Sequence, residues 1–216
     1  IIGASHTQDL AERFSKKTRS IVQSSAYHEL YGFGISQDSR AVAAWETERG
    51  GEFKAAGVGA GIAGRRSDVG LIDDPIRSRE DAESELVRDR VWEWYLADFR
   101  TRLKPEGAII IIQTRWHPDD LAGRILPPDY HGQSGKVMCT GDEEWEIINF
   151  PAICEQDDDI LGRKVGEALW PEYYTLEMLL ETKKMQTRRN WDSLYQQRPR
   201  PEDANQFDTE NLLVDG

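Results

Sequence analysis

Cysteine is scarce in this chain. Cys139 and Cys154 are the only two in 216 residues, and no CxxC spacing joins them. A disulfide scaffold and a cysteine-held zinc site are therefore not expected, and a reducing compartment is. No apolar run approaches the roughly 20 residues that a membrane helix needs, and no secretory-type leader pattern occurs. Positive charge is also short: 27 Lys and Arg stand against 39 Asp and Glu, for a formal net charge of -12. That balance excludes coating nucleic acid by bulk electrostatics. Local basic clusters remain at Arg65-Arg66, at Arg77 with Arg79, and at Arg188-Arg189. Also missing is G-x-x-x-x-G-K-[ST], the loop whose backbone and lysine cradle nucleotide phosphates. The opening Ile1-Ile2-Gly3-Ala4-Ser5 reads as a strand entering a loop. With Ile1 rather than Met in first place, the chain is expected to be a fragment.

What is present begins with two apolar runs that stop abruptly. Val69-Gly70-Leu71-Ile72 ends in Asp73-Asp74-Pro75, and Ala108-Ile109-Ile110-Ile111-Ile112 ends in Gln113-Thr114-Arg115-Trp116. Apolar runs without alternation suit strands buried on both faces of a parallel sheet. Between them, Ser78 is an N-cap with Asp81 in the first turn, and Val87, Val91, Tyr95, Phe99 and Leu103 recur at i, i+4. Trp94, Leu86 and Leu96 broaden that stripe, and Pro105-Glu106-Gly107 breaks it. Strand, helix, strand in this order predicts a parallel crossover, hence an α/β fold with a mainly parallel sheet flanked by helices.

Elsewhere, helical spacing over residues 5 to 25 predicts a stripe of Leu10, Phe14 and Ile21 beside Ala11 and Val22. Residues 27 to 40 read as a loop. Ala41 to Glu48 and Glu52 to Val58 read as a hairpin joined at Arg49-Gly50-Gly51. Pro118 suits the first position of a short helix through Leu126, Trp145 to Phe150 reads as a strand, and Asp157-Asp158-Asp159 as an exposed turn. Pro171 opens a helical stretch to Gln197, broken near Thr187. From Pro199 the sequence reads as a linker.

In an open parallel sheet, ligands bind beyond the carboxyl ends of the strands. Asp73 and Asp74 at one such end could divide the tasks of holding magnesium and orienting an attacking water. An acidic turn ahead of a helix accounts for the same residues. Gln113, Thr114 and Arg115 at the neighbouring end could sense a γ-phosphate; an ordinary strand terminus with Arg115 in an ion pair is the plainer reading. Together the two ends point to a nucleotide-hydrolysing crevice. Gly59-Ala60-Gly61-Ile62-Ala63-Gly64 matches G-x-G-x-x-G, but no helix follows, so a dinucleotide site is rejected. Arg65 and Arg66 after it could stabilise a transferring phosphoryl group, in cis or from a neighbouring subunit. Asp119 and Asp120 fit the first turn of a helix better than a metal site with His117. His6, His28 and His131 receive no role.

These residues resemble the large terminase subunit of tailed bacteriophages, over nearly the whole chain. Gly57 to Arg66 with Gly70-Leu71-Ile72-Asp73-Asp74-Pro75 is similar to that family's glycine-rich segment and Walker B strand. The stretch from Ile111 to Arg124 resembles its coupling motif and is the most specific match. Leu169-Trp170-Pro171-Glu172 and Tyr195-Gln196-Gln197-Arg198-Pro199 resemble the end of its ATPase domain. The resemblance implies a P-loop NTPase-like ATPase domain over residues 1–198, without its Walker A part, and a linker over 199–216 toward a nuclease domain. It implies Asp73 as the magnesium aspartate and Asp74 where the wider class has a catalytic glutamate. Gln113, Thr114 and Arg115 then couple hydrolysis to movement, and Arg66 is taken as a catalytic arginine from its place after the glycine-rich segment. The cofactors implied are ATP and Mg. The partners implied are double-stranded DNA, a small terminase subunit, a portal protein and further copies in a ring, in the host cytoplasm with no membrane. A stand-alone metal-dependent nuclease using Asp73 and Asp74, and a non-catalytic assembly module, remain as alternatives.

Overall fold

The computed structural model describes residues 1–62 and 64–200, and of Arg40 the backbone alone. Ala63 of the glycine-rich segment, the expected linker beyond Arg200 and the expected nuclease start at Phe207 to Gly216 lie outside the described residues. Contacts divide the chain into two compact units, Ile1–Gln113 and Thr114–Gly216, so the 1–198 stretch expected as one domain spans both.

The first unit is built on a six-stranded sheet. In chain order the strands are β1 (Ile2–Ser5), β2 (Ile35–Arg40), β3 (Ala44–Thr47), β4 (Glu52–Gly57), β5 (Ser67–Asp73) and β6 (Leu103–Ile112), arranged β2-β3-β4-β1-β5-β6. The pairs β4–β1, β1–β5 and β5–β6 are parallel, and β2–β3 and β3–β4 are antiparallel. The mainly parallel α/β sheet expected from the sequence is therefore present, as is the hairpin closed at Gly50 (φ 77).

Helix α1 (Gln8–Val22), capped by the Thr7 side chain, packs on β4 and β1. Its buried row is Ala11, Ser15 and Val22; Phe14 and Ile21 of the expected stripe are 37% and 63% exposed. Hydrogen bonding explains the rotation. Trp45, stacked on Phe53, needs a partner for its buried indole N–H, and Ser15 Oγ accepts it at 3.0 Å while donating to the Val42 carbonyl. Residues 27 to 40 are not a loop. They hold most of α2 (Ser25–Tyr31), capped by Ser24 and ended by Gly32 at φ 72, and then β2. Seven residues are too few to show a helical period, and the polar Ser36-Gln37-Asp38-Ser39 hides a strand.

The crossover after β5 is helical as expected but not one helix. Following α3 (Arg79–Glu83), Ser84 turns extended and caps α4 (Glu85–Glu93), which continues as a π-helical turn at Trp94–Phe99. Val91, Trp94, Tyr95 and Phe99 are buried, whereas Leu86 and Leu96 face solvent. A Cβ on Gly70 would stand 2.7 Å from the Phe99 ring, so this strand needs glycine there to take the aromatic. Strand β6 starts at Leu103 and absorbs Pro105-Glu106-Gly107 as an irregularity, with Glu106 at φ 67.

The second unit holds α5 (Leu121–Ile125), the antiparallel pair β7 (Gly135–Cys139) and β8 (Glu143–Ile147), α6 (Leu176–Met185), α7 (Arg188–Asn190) and a π-helical turn at Trp191–Tyr195. Strand β8 was expected and β7 was not. The expected break near Thr187 is there, with Thr187 capping α7. Ala168, Leu179 and Trp191 form its core, and the buried Gln196 amide both accepts from Ile153 N–H and donates to Ile153 O at 3.0 Å. Among the described residues no helix is long and apolar enough to cross a membrane.

Candidate functional site

Parallel register brings four strand ends to one rim of the first unit. Ser5 pairs with Asp73 and with Gly57, and Asp73 pairs with Ile112. Paired residues share a face, so the Ser5 and Asp73 side chains lie side by side. That face is the one α1 covers, because Phe53 and Ala55 on it join Ala11 in one cluster. At the same rim Asp74 N–H donates to Ile112 O at 2.9 Å, which holds the chain after Asp73 against the end of β6, where Gln113 follows.

The chemistry of this rim is unbalanced in a specific way. Asp73 is half-buried, and burial first, then the negative charge of Asp74, lifts its carboxyl above the usual carboxylate range; His6 opposes the lift. Ser5 is fully buried and its Oγ has no hydrogen-bond partner; Gln113 Oε1 is likewise buried and unpartnered. Buried polar atoms without partners are rare, and each calls for an explanation such as an absent ion or ligand. Asp74 sits at φ 42, and His6 Nδ1 contacts its carbonyl oxygen at 3.1 Å.

Other expected residues stand elsewhere. Arg66 is exposed and precedes Ser67, the first residue of β5, while Asp73 is its last. A strand of that length separates them by roughly 20 Å, so within one chain Arg66 does not join the acidic pair. Its neighbour Arg65 is bound to Glu52 at 2.8 Å. Thr114 and Arg115 belong to the second unit. There Arg115 Nε donates to both oxygens of Asp120 at 3.0 Å, with the pair 12% and 2% exposed. Asp120 also caps α5 through Gly123 N–H, and Asp119 binds Arg124 at 2.8 Å. The structural reading of both acids therefore holds, with the helix starting at Leu121 rather than at Pro118.

No local pattern in the chain marks Ser5 or His6 as part of this rim. Each acquires its place only through pairing with a strand 68 residues away.

Among the described residues no group of three or more His, Cys, Asp or Glu gathers to hold a metal ion. The family model for the terminase large subunit, T4likevirus-type, N-terminal, matches residues 1–197. No curated protein matches the chain. The chain therefore belongs to this terminase large-subunit family, whose role is in packaging phage DNA.

Proposed function

We propose that this terminase chain carries part of an ATPase site at the rim of β1, β5 and β6, and that the complete protein uses it to drive double-stranded DNA into a prohead. The observation that carries the reading is Asp73: a half-buried carboxylate with a raised pKa at the end of an inner parallel strand, beside a buried hydroxyl that has no partner. Magnesium typically takes one or two carboxylates and fills its remaining positions with water and substrate phosphates. A two-acid rim with no third ligand fits that demand, and it fits a nuclease centre built wholly from protein carboxylates less well. Asp73 would hold the ion, and Ser5 Oγ and Gln113 Oε1 could bond its water shell. Bound magnesium supplies charge neutralisation on the phosphoryl oxygens. Asp74 orients the attacking water, and Gln113 leads directly into Thr114 and Arg115, the start of the coupling element.

The other half of a P-loop NTPase-like site is read from what the sheet leaves bare. Val69, Leu71 and Asp73 of β5 share a face with Ala108, Ile110 and Ile112 of β6. Ile110 and Ile112 are 48% and 56% exposed, contrary to the expectation that this run is buried on both sides. Ser15 and Gln8 of α1 bond toward β3 and β4. Leu71, Ile110 and Ile112 floor an apolar trough, and β6 is the sheet's edge on that side among the described residues. A strand, phosphate loop and helix belonging to the complete protein would extend the edge, fill the trough and deliver the loop beside Asp73. Arg66 then acts on a neighbouring copy in a ring. The small terminase subunit, the portal and the nuclease domain complete the assembly, in the host cytoplasm.

The test is turnover by the complete protein. Asp73→Ala should lower ATP hydrolysis by at least about 100-fold, in the range seen when an electrostatic group is removed. Unchanged turnover would remove Asp73 from the site. The chain of residues 1–216 by itself should bind ATP poorly, and tight magnesium-dependent binding would contradict the need for a further loop.

A further inference from the structure

We infer that His6 is a positioning residue for the acidic pair, holding Asp74 in a backbone conformation that it would not keep unaided; the inference rests on the ATPase reading of this rim. Three observations converge on the peptide of Asp74. Its φ of 42 lies in the left-handed region, which is strained for a non-glycine residue. Pro75 follows, and a residue before proline favours extended backbone, which adds to the strain. The conformation is gripped from both sides: Asp74 N–H donates to Ile112 O at 2.9 Å, and Asp74 O meets His6 Nδ1 at 3.1 Å. A carbonyl oxygen only accepts, so Nδ1 must carry the hydrogen and the neutral ring must be the Nδ1–H tautomer.

The function of this grip follows from strand geometry. Successive side chains of an extended strand point to opposite faces. Asp73 is on the α1 face, so an extended Asp74 would send its carboxylate to the other face, away from Ser5 and Asp73. A left-handed residue breaks the alternation and redirects the side chain. His6 can impose this because β1 lies directly beside β5 in parallel register, so the residue after Ser5 stands next to the residue after Asp73. The contact it makes is with the Asp74 carbonyl oxygen, so it acts on the direction of that backbone.

The experiment uses the complete terminase. His6→Ala should lower kcat for ATP hydrolysis roughly 10- to 100-fold, the scale of a misplacement near 1 Å. Affinity for a non-hydrolysable ATP analogue with magnesium should stay within about 2-fold, since binding energy made equally in ground and transition states is untouched. His6→Asn, whose amide stands where Nδ1 does, should recover most of the rate. Histidine labelled with 15N in the unmutated protein should show His6 protonated at Nδ1, the signal being identified by its loss in His6→Asn. An Nε2–H tautomer, an undiminished kcat in His6→Ala, or equal losses of binding and turnover without rescue by Asn would each overturn the proposal. Asp73→Ala in the same assay separates the two ideas. If it abolishes turnover while His6→Ala does nothing, the ATPase reading stands and the positioning role falls.

Discussion

The two units treat their carboxylates in opposite ways. In the second, Asp120 receives Arg115 on both oxygens and Asp159 receives Arg163 at 2.7 Å, with each of these side chains at most 12% exposed. The Arg163 hydrogen bond holds the Asp159 carboxyl below its usual range. In the first, burial and Asp74 push the Asp73 carboxyl the other way. An acid that folding supplies with a guanidinium has spent its charge on structure. An acid left desolvated beside an unpartnered hydroxyl has a charge that this fold does not compensate. Sequence separates these cases only by context: Asp73-Asp74 ends an apolar run, whereas Asp119-Asp120 follows Pro118 at the start of a helix.

That contrast can be broken most forcefully at Asp120. Asp120→Ala removes a helix cap and leaves the Arg115 guanidinium without its carboxylate, so it should cost about 3 kcal/mol and lower Tm by roughly 10 °C. A loss below about 1 kcal/mol would mean that the pair is not structural. Next in size is the bare face of the first unit. Ile110→Asp should leave the stability of residues 1–216 nearly unchanged, because the side chain is already in water. In the complete protein it should cost about 3 kcal/mol if the proposed helix covers the same position. Equal effects in the two would show that nothing covers the trough.

The parts of the fold that were legible are those that local pattern decides. The strand ending at Asp73, the Ser78 cap and the Val91-Tyr95-Phe99 row each carry their own signal, and all three stand as expected. What escaped depends on partners distant in sequence. Leu10, Phe14 and Ile21 have the period of a core stripe, yet the buried row is set by where Trp45 needs an acceptor. Ala108 to Ile112 has the composition of a strand covered on both faces, and the described residues supply the cover on one. The same limit applies to the site: the acidic pair was visible in the chain, whereas Ser5 and His6 became part of it only through the register of β1 with β5.

A smaller effect probes the contrast through protons. Asp159 has a lowered pKa, so its contribution is present at neutral pH and fades as pH falls below about 4 toward the depressed value. Asp159→Asn should therefore lower Tm at pH 7 by several degrees and flatten the acid limb of the Tm profile. Asp73 has a raised pKa, so the folded state binds its proton more tightly than the unfolded state does. Its ionisation destabilises the fold as pH climbs from about 4 through the raised value. Asp73→Asn removes the penalty and should raise Tm at pH 7 by about 2 °C or less, with no gain at pH 3. The two variants thus move Tm in opposite directions at one pH. A fall in both would mean that Asp73, like Asp159, is already paired in the fold, and the case for its holding an incoming cation would go with it.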